Sequence, residues 1–353
     1  MIMKVGVTME SCSICQGKIP LSERGTLMLS GKTEQQAESI RKALRKWHPV
    51  LHPKQHRVDV SYSSWEALQS IMEKTLGELP EDDTVSVTGS LITEEGSRHM
   101  PGNEFSLYEL NEQITHPELV KIIQDRLFQS FMQPVVDTRT GEPIGYEFLL
   151  RPNSKLHPFN PGELFAFSQG SGLQSMLDSQ ARINAIRTSS HKLMPGMKRF
   201  INFLPSSIYD PSHCLKSTFK AARDYKVKPE DLVFEVVETE QIEDMQHLQF
   251  IFEEYKKAGV KVALDDVGTG YSTVDVLKQL KPNYAKIDRS LIQDIDQHPE
   301  KLDQIKLLRK VADDNGIILL AEGIETAEEY KVLQQYVHLA QGYYFGKPLS
   351  RPA

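Results

Sequence analysis

From Gln133 onward the chain alternates short apolar runs with stretches in which apolar residues recur at helical spacing. The runs predict eight strands: Gln133–Asp137, Gly145–Arg151, Phe200–Phe203, Leu232–Val237, Lys261–Asp265, Tyr284–Ile287, Ile317–Ala321 and Leu339–Phe345. Leu248, Ile251, Phe252 and Tyr255, closed by Gly259, mark one intervening helix. Leu302, Ile305, Leu308 and Val311, closed by Gly316, mark another. A strand and helix repeated in this way predict an α/β fold, a TIM-barrel-like (βα)8 domain over residues 116–353.

The first part of the chain has a different rhythm. Gly25–Leu29 suits a strand, and Thr33 with Gln36 forms a capping-box pattern for a helix whose buried face is Ala37, Ile40, Leu44 and Trp47. Val58 and Val60 alternate as in a strand. Ser63 with Glu66 then predicts the start of a second helix carrying Trp65, Leu68, Met72 and Leu76, with Gly77 as its stop. Thr84–Ile92 alternates in strand fashion. These elements predict a small α/β domain over residues 1–93, of regulatory character if it has a role of its own. The polar, Gly- and Pro-bearing Glu94–Glu104 opens a linker over 94–115, and a helix over Pro117–Phe131 leads into the barrel.

A composition of 39% apolar and 25% charged residues fits a globular protein with a substantial core. The net charge of −7 argues against nucleic-acid polymers and anionic membranes as partners. No apolar run approaches the roughly 20 residues that span a bilayer, and Met1–Thr8 has no long apolar h-region, so the expected location is the cytoplasm. Three cysteines are too few for a disulfide framework. Cys12 and Cys15, with His48, His52 and His56, offer ligands for a structural Zn²⁺; incidental thiols are the alternative, since the gap to His48 exceeds that of a common finger.

A barrel of this kind collects its chemistry at the C-terminal ends of its strands. Polar groups recur there: Glu147, Asn202, Glu235, the adjacent pair Asp265 and Asp266, Lys286, Glu322 and Gln341. Charged residues inside a strand are costly unless paired, so their recurrence in one relative place points to one shared site rather than separate salt bridges. Side-by-side carboxylates such as Asp265 and Asp266 also serve as helix caps, but the recurrence favours a metal site. Glu147, Asn202, Glu235, Asp265 and Asp266 are hard oxygen donors that suit Mg²⁺ or Mn²⁺ rather than zinc. They exceed what one Mg²⁺ takes from protein, which predicts two ions sharing a carboxylate such as Asp265, and hydrolysis of a phosphodiester as the chemistry.

The same residues carry a resemblance. From about residue 117 to Pro348 the sequence resembles the EAL-domain cyclic di-GMP phosphodiesterases. The signature Glu-Ala-Leu appears as Glu147-Phe148-Leu149, followed by Leu150-Arg151. Further matches are Gln133–Val136, Ile201-Asn202-Phe203, Glu235–Glu238, Asp265–Ser272, Lys286-Ile287-Asp288, Ala321–Thr326 and Gln341–Phe345. The resemblance implies that Glu147, Asn202, Glu235, Asp265 and Asp266 hold the metals, while Lys286 and Glu322 orient and deprotonate the attacking water. It implies substrate contacts from Gln133, Arg151 (through phosphate) and Gln341, and makes Glu238 the anchor of the loop after the fifth strand. The implied reaction takes cyclic di-GMP to linear pGpG, and the implied assembly is a homodimer through the barrel. Phe148, Val237, Val267 and Pro152 depart from the family pattern. Phe148 is expected to face away from Glu147 and repack the barrel against its helices, while Val237 and Val267 are expected to slow turnover by loosening the loop near Asp266. The alternative is a weak or inactive domain serving as a cyclic di-GMP receptor or interaction module; that reading expects a missing metal ligand, and every one is present.

Overall fold

The computed structural model of the protein describes residues 21–45, 52–54, 56–93, 104–208, 214–236, 245–268 and 274–352. They fall into two compact units. One takes the chain up to Phe128 together with Pro152–Leu177; the other comprises Gln129–Arg151 and the chain from Asp178 onward. Cys12, Cys15, His48, Trp47 and residues 94–103 lie outside the described residues, as do Val237 and Glu238.

The first unit is built on a five-stranded sheet in the order β2-β3-β1-β4-β5. Its strands are β1 (Gly25–Ser30), β2 (His52–Lys54), β3 (Arg57–Tyr62), β4 (Thr88–Thr93) and β5 (Phe105–Ser106). β1 lies antiparallel to both β3 and β4, with α1 (Glu34–Arg45) and α2 (Trp65–Glu78) as the two crossovers of a β-α-β-β-α-β arrangement. Leu27 and Leu29 from β1, Val58 and Val60 from β3, Ile40 and Leu44 from α1, and Leu68 and Met72 from α2 form its core.

Four boundaries differ from the sequence expectation. Ser64, not Ser63, caps α2, its side chain accepting from the Ala67 amide at 3.2 Å, and the helix runs through Gly77 to Glu78. Thr84 falls in a short helix, α3 (Glu81–Ser86), because Pro80 and the acids Glu81, Asp82 and Asp83 suit a helix start; only Thr88 onward is strand. After α4 (Leu107–Thr115), α5 (Pro117–Gln124) ends well before Phe131. Arg126 takes the left-handed conformation (φ 55°), and the Leu127 amide closes back on the Ile122 carbonyl at 2.9 Å. Such caps are normally glycine, so the sequence carries no stop signal there.

The second unit is a closed barrel in the order β6 to β13 and back to β6. Its strands are β6 (Phe128–Asp137), β7 (Pro143–Pro152), β8 (Lys198–Phe203), β9 (Leu232–Val236), β10 (Lys261–Val267), β11 (Tyr284–Ile287), β12 (Ile318–Ala321) and β13 (Leu339–Ala340). Strands β7 to β13 run parallel, but β6 is antiparallel to β13, a departure from a uniform (βα)8 repeat. The cause is readable: only residues 138–142 join β6 to β7, and a parallel pair needs a crossover of a dozen or more. Along the chain after β7 come α6 (Pro161–Gly170), which belongs to the first unit, and then α7 (Gln174–Lys192), α8 (Lys216–Asp224), α9 (Met245–Lys257), α10 (Val274–Leu280), α11 (Arg289–Ile292), α12 (Pro299–Asn315) and α13 (Ala327–Leu333). No helix among the described residues is long and apolar enough to cross a membrane.

Within the barrel, Val135, Phe200, Val233, Ala263, Tyr284, Leu320 and Leu339 form an apolar plug, with Phe200 edge-on to Tyr284 at 5.3 Å between ring centroids. Phe148 belongs instead to the larger core around the barrel, buried among residues such as Ile201, Phe203 and Phe234. Val267 is fully buried in that same core, in register with Ile287.

Past β12, residues 322–326 are held from below by Glu329 of α13. Its carboxylate accepts from the amides of Asp294 (3.0 Å), Glu325 (2.8 Å) and Thr326 (3.1 Å), and Thr326 caps α13 in return. Burial works to raise the Glu329 carboxyl, but the backbone donors outweigh it and hold it below the usual carboxylate range. The folded form therefore favours the ionised group, so this stabilisation is complete above the unfolded carboxyl's pKa and lost as pH falls through the folded one. Glu329→Ala should cost about 3 kcal/mol, since charged hydrogen bonds and buried amides are both lost. In thermal melts from about pH 7 to pH 3, Glu329→Gln should flatten the acid-side loss of stability; an acid limb parallel to that of the native protein would refute the assignment.

Candidate active site

In a strand, successive side chains alternate between the two faces, so the residue two places beyond each plug residue also points into the barrel. That rule builds the site. Phe200 leads to Asn202, Val233 to Glu235, Ala263 to Asp265, Tyr284 to Lys286, Leu320 to Glu322 and Leu339 to Gln341. On β6 the count runs backward, from Val135 to Gln133, because that strand is reversed. Gly145 occupies the corresponding place on β7, below Glu147; a side chain there would meet the Lys198 backbone at 2.4 Å.

Lys286 is the centre of the layer. It is 1% exposed, and its Nζ lies 2.6 Å from Glu322, 3.0 Å from Glu235, 3.1 Å from Asp265 and 3.9 Å from Glu147. Burial opposes its charge, but Asp265, Glu147, Glu235 and Glu322 outweigh that and hold its pKa well above the ordinary lysine value. Glu147 is fixed by amides: Asn202 Nδ2 donates to its Oε1 at 3.0 Å and Gln341 Nε2 to its Oε2 at 2.6 Å. Gln341 Nε2 also lies 3.3 Å from Gln133 Oε1, and Gln133 donates to the Gly346 carbonyl at 3.2 Å.

Glu235 is fully buried, its Oε1 3.0 Å from the Lys286 ammonium, and among the described residues that ion pair is the polar contact of its carboxylate. Burial pushes its carboxyl well above the usual range, with Lys286 pulling it down and Glu147 and Asp265 pushing it further up. Burial also raises Glu322, helped by Asp265. Asp266 arrives by a different route. A regular strand would turn it away from Asp265, but pairing slips between Leu264 and Val267 and Asp266 takes φ 52°, the geometry of a bulge. Carboxylate oxygens of Asp265, Asp266 and Glu322 consequently lie within 4.8 Å of one another.

Glu147, Asp265, Lys286 and Glu322 line an open cleft of about 300 Å³ with Gln133 and Gln341. Among the described residues, its lining does not include Arg151, whose Nη1 donates to the Leu150 carbonyl at 2.7 Å. It does include Arg289, and with it Glu325 and Tyr343, which lie within the matched motifs but to which the sequence assigns no role of their own. Arg289 pairs with Glu325 at 2.7 Å. Its stem lies over Gly323 (φ 68°), where a Cβ would come within 2.6 Å of it. That glycine was the available signal.

The donor set fits hard divalent cations. It is all oxygen, it sets five carboxylates against one ammonium, and it buries one of those carboxylates, Glu235, completely.

The chain is similar to several known proteins. Over 252 residues the chain is 32% identical to the probable cyclic di-GMP phosphodiesterase PdeG of Escherichia coli (strain K12), covering 68% of this chain and 48% of that protein. The chain thus spans about half the length of that relative. A standalone versatile EAL protein from Vibrio cholerae O395, solved in its c-di-GMP bound form, superposes with a TM-score of 0.58 at 34% identity, covering 64% of this chain and 94% of the other. Klebsiella pneumoniae BlrP1 shares the fold at 20% identity over 92% of this chain and 96% of its own, with a TM-score of 0.58. The profile of the EAL domain matches residues 118–348, and the chain belongs to the EAL domain family.

Proposed function

We propose that the second unit hydrolyses cyclic di-GMP to linear pGpG, with Glu147, Asn202, Glu235, Asp265 and Asp266 as the residues that would hold Mg²⁺ or Mn²⁺. The observation that supports this best is the charge imbalance of the inner layer, where one buried ammonium serves Glu147, the fully buried Glu235, Asp265 and Glu322, with the Asp266 carboxylate beside the last two. When bound, the divalent ions would supply Lewis acidity at the phosphate and acidify the attacking water.

The chain's own residues do the rest. Glu322, part exposed at the cleft wall, accepts the proton of a water that attacks phosphorus, while the bond from phosphorus to the leaving 3′ oxygen breaks. Lys286, 2.6 Å away, holds that carboxylate in position. Asn202 and Gln341 keep Glu147 turned toward the inner layer, and Gln133 and Gln341 present amides to the substrate. Arg151 reaches the substrate only after releasing the Leu150 carbonyl.

Purified protein given cyclic di-GMP with Mg²⁺ or Mn²⁺ should yield pGpG, and Asp265→Asn should lower turnover by at least about a hundredfold while retaining binding. Binding without pGpG under either metal would replace catalysis with the receptor reading. Glu235→Gln gives a readout that does not depend on activity. Without metal it should melt higher than the native protein, because a fully buried carboxylate beside Glu147 and Asp265 is costly even with a share of Lys286; its stabilisation by added Mg²⁺ or Mn²⁺ should shrink. A lower metal-free melting temperature with an undiminished metal response would remove Glu235 from the ligand set.

A further inference from the structure

We infer that Arg289 binds a phosphate of the dinucleotide, Glu325 holding its guanidinium in place until the substrate displaces it. The inference rests on the cyclic di-GMP reading and adds a residue to it. A cyclic dinucleotide carries two anionic phosphates, and the lining of the cleft it must enter includes the carboxylates of Glu147, Asp265, Glu322 and Glu325. Something at the wall must attract the anion. The described lining has two cations, Lys286 and Arg289. Lys286 is sealed in, its ammonium within 3.9 Å of four carboxylates, and cannot turn to a new partner without baring them.

Arg289 is differently placed. Its side chain is 49% exposed and pairs with the 37% exposed Glu325. An exposed pair of this kind contributes little to stability, so exchanging the carboxylate for a phosphate costs little. The planar guanidinium fits a phosphate with two parallel N–H donors. Its stem is already laid down over Gly323, the residue after Glu322, so a phosphate held there sits beside the group that takes the water's proton. Arg151, the phosphate ligand expected from sequence, is bonded to its own strand's carbonyl.

The test compares steady-state hydrolysis of cyclic di-GMP by the native protein, Arg289→Ala, Arg289→Lys and Glu325→Gln, at roughly 50 and 300 mM salt. Arg289→Ala should raise KM about tenfold or more with kcat within about threefold, and should weaken the salt dependence of KM. Arg289→Lys should recover part of the loss. Glu325→Gln, by removing the competing carboxylate, should lower KM about two- to threefold. If the pair is instead a clasp that positions Glu322, Arg289→Ala and Glu325→Gln will both lower kcat with KM unchanged, and the phosphate role is overturned. Turnover with an unaltered KM in Arg289→Ala overturns this inference alone. A native protein that neither binds nor cleaves cyclic di-GMP overturns the parent reading with it. If the native protein binds without turnover, the same comparison is made on Kd by calorimetry.

Discussion

The ion cluster around Lys286 is the constraint to which the barrel answers. An ammonium taken out of water is tolerable only when carboxylates surround it, and those carboxylates are tolerable only if something balances the excess. Here the balance does not close within the protein: one ammonium is shared among Glu147, Glu235, Asp265 and Glu322, and Asp265, Asp266 and Glu322 crowd within 4.8 Å. A chain selected for stability alone would place apolar side chains in this layer, as it does one layer below. The unfavourable electrostatics are a sign of what the layer must receive. On the proposed function, divalent cations and an anionic ester would together satisfy both halves of it.

Two features of chain geometry make that concentration possible. The first is the two-residue period of the strands, which stacks the polar layer on the plug and so seals one side of the site against water. The second is the reversal of β6. Were β6 parallel to its neighbours, Gln133 would lie on the far side of Val135 from Gln341; being antiparallel, it reaches the mouth and lies 3.3 Å from Gln341. Asp266 shows the limit of the period. It joins the cluster only by leaving the regular strand for a left-handed backbone conformation, a strain of order 1 kcal/mol or more that the surrounding packing must offset.

Much of this could be read in advance because alternation is written in the sequence. Each of Asn202, Glu235, Asp265, Lys286 and Glu322 follows an apolar strand residue by two places, and the matching motifs ordered them along the chain. What escaped depends on information that residue types do not carry. Arg126 ends a helix in a conformation usually left to glycine, so the apolar pattern in the sequence runs on past the helix itself. Thr84–Ile92 alternates like a strand, yet the local electrostatics of three acids after a proline decide for a helix turn at its start. Arg289, Glu325 and Glu329 lie in loops and on a helix end, where no periodicity distinguishes a positioned side chain from a solvated one.

The loop carrying Glu322 shows how those unread residues divide the work. Ile324, fully buried, donates its amide to the Gln341 carbonyl at 3.1 Å and accepts from the Tyr344 amide at 3.1 Å. Gly342 passes so close that a Cβ there would come 2.0 Å from the Ile324 carbonyl oxygen. From the other side Glu329 takes up the Glu325 and Thr326 amides. These ties are made by backbone or buried groups that water cannot easily replace, and they fix the loop without help from the cleft side. The Arg289–Glu325 pair is the tie between half-exposed side chains, and the loop does not need it to hold Glu322 in place. A cation that is ordered by its stem but not required by the scaffold can change partners while the group beside it stays still, which is the condition for binding an anion without disturbing the acid that must act on it.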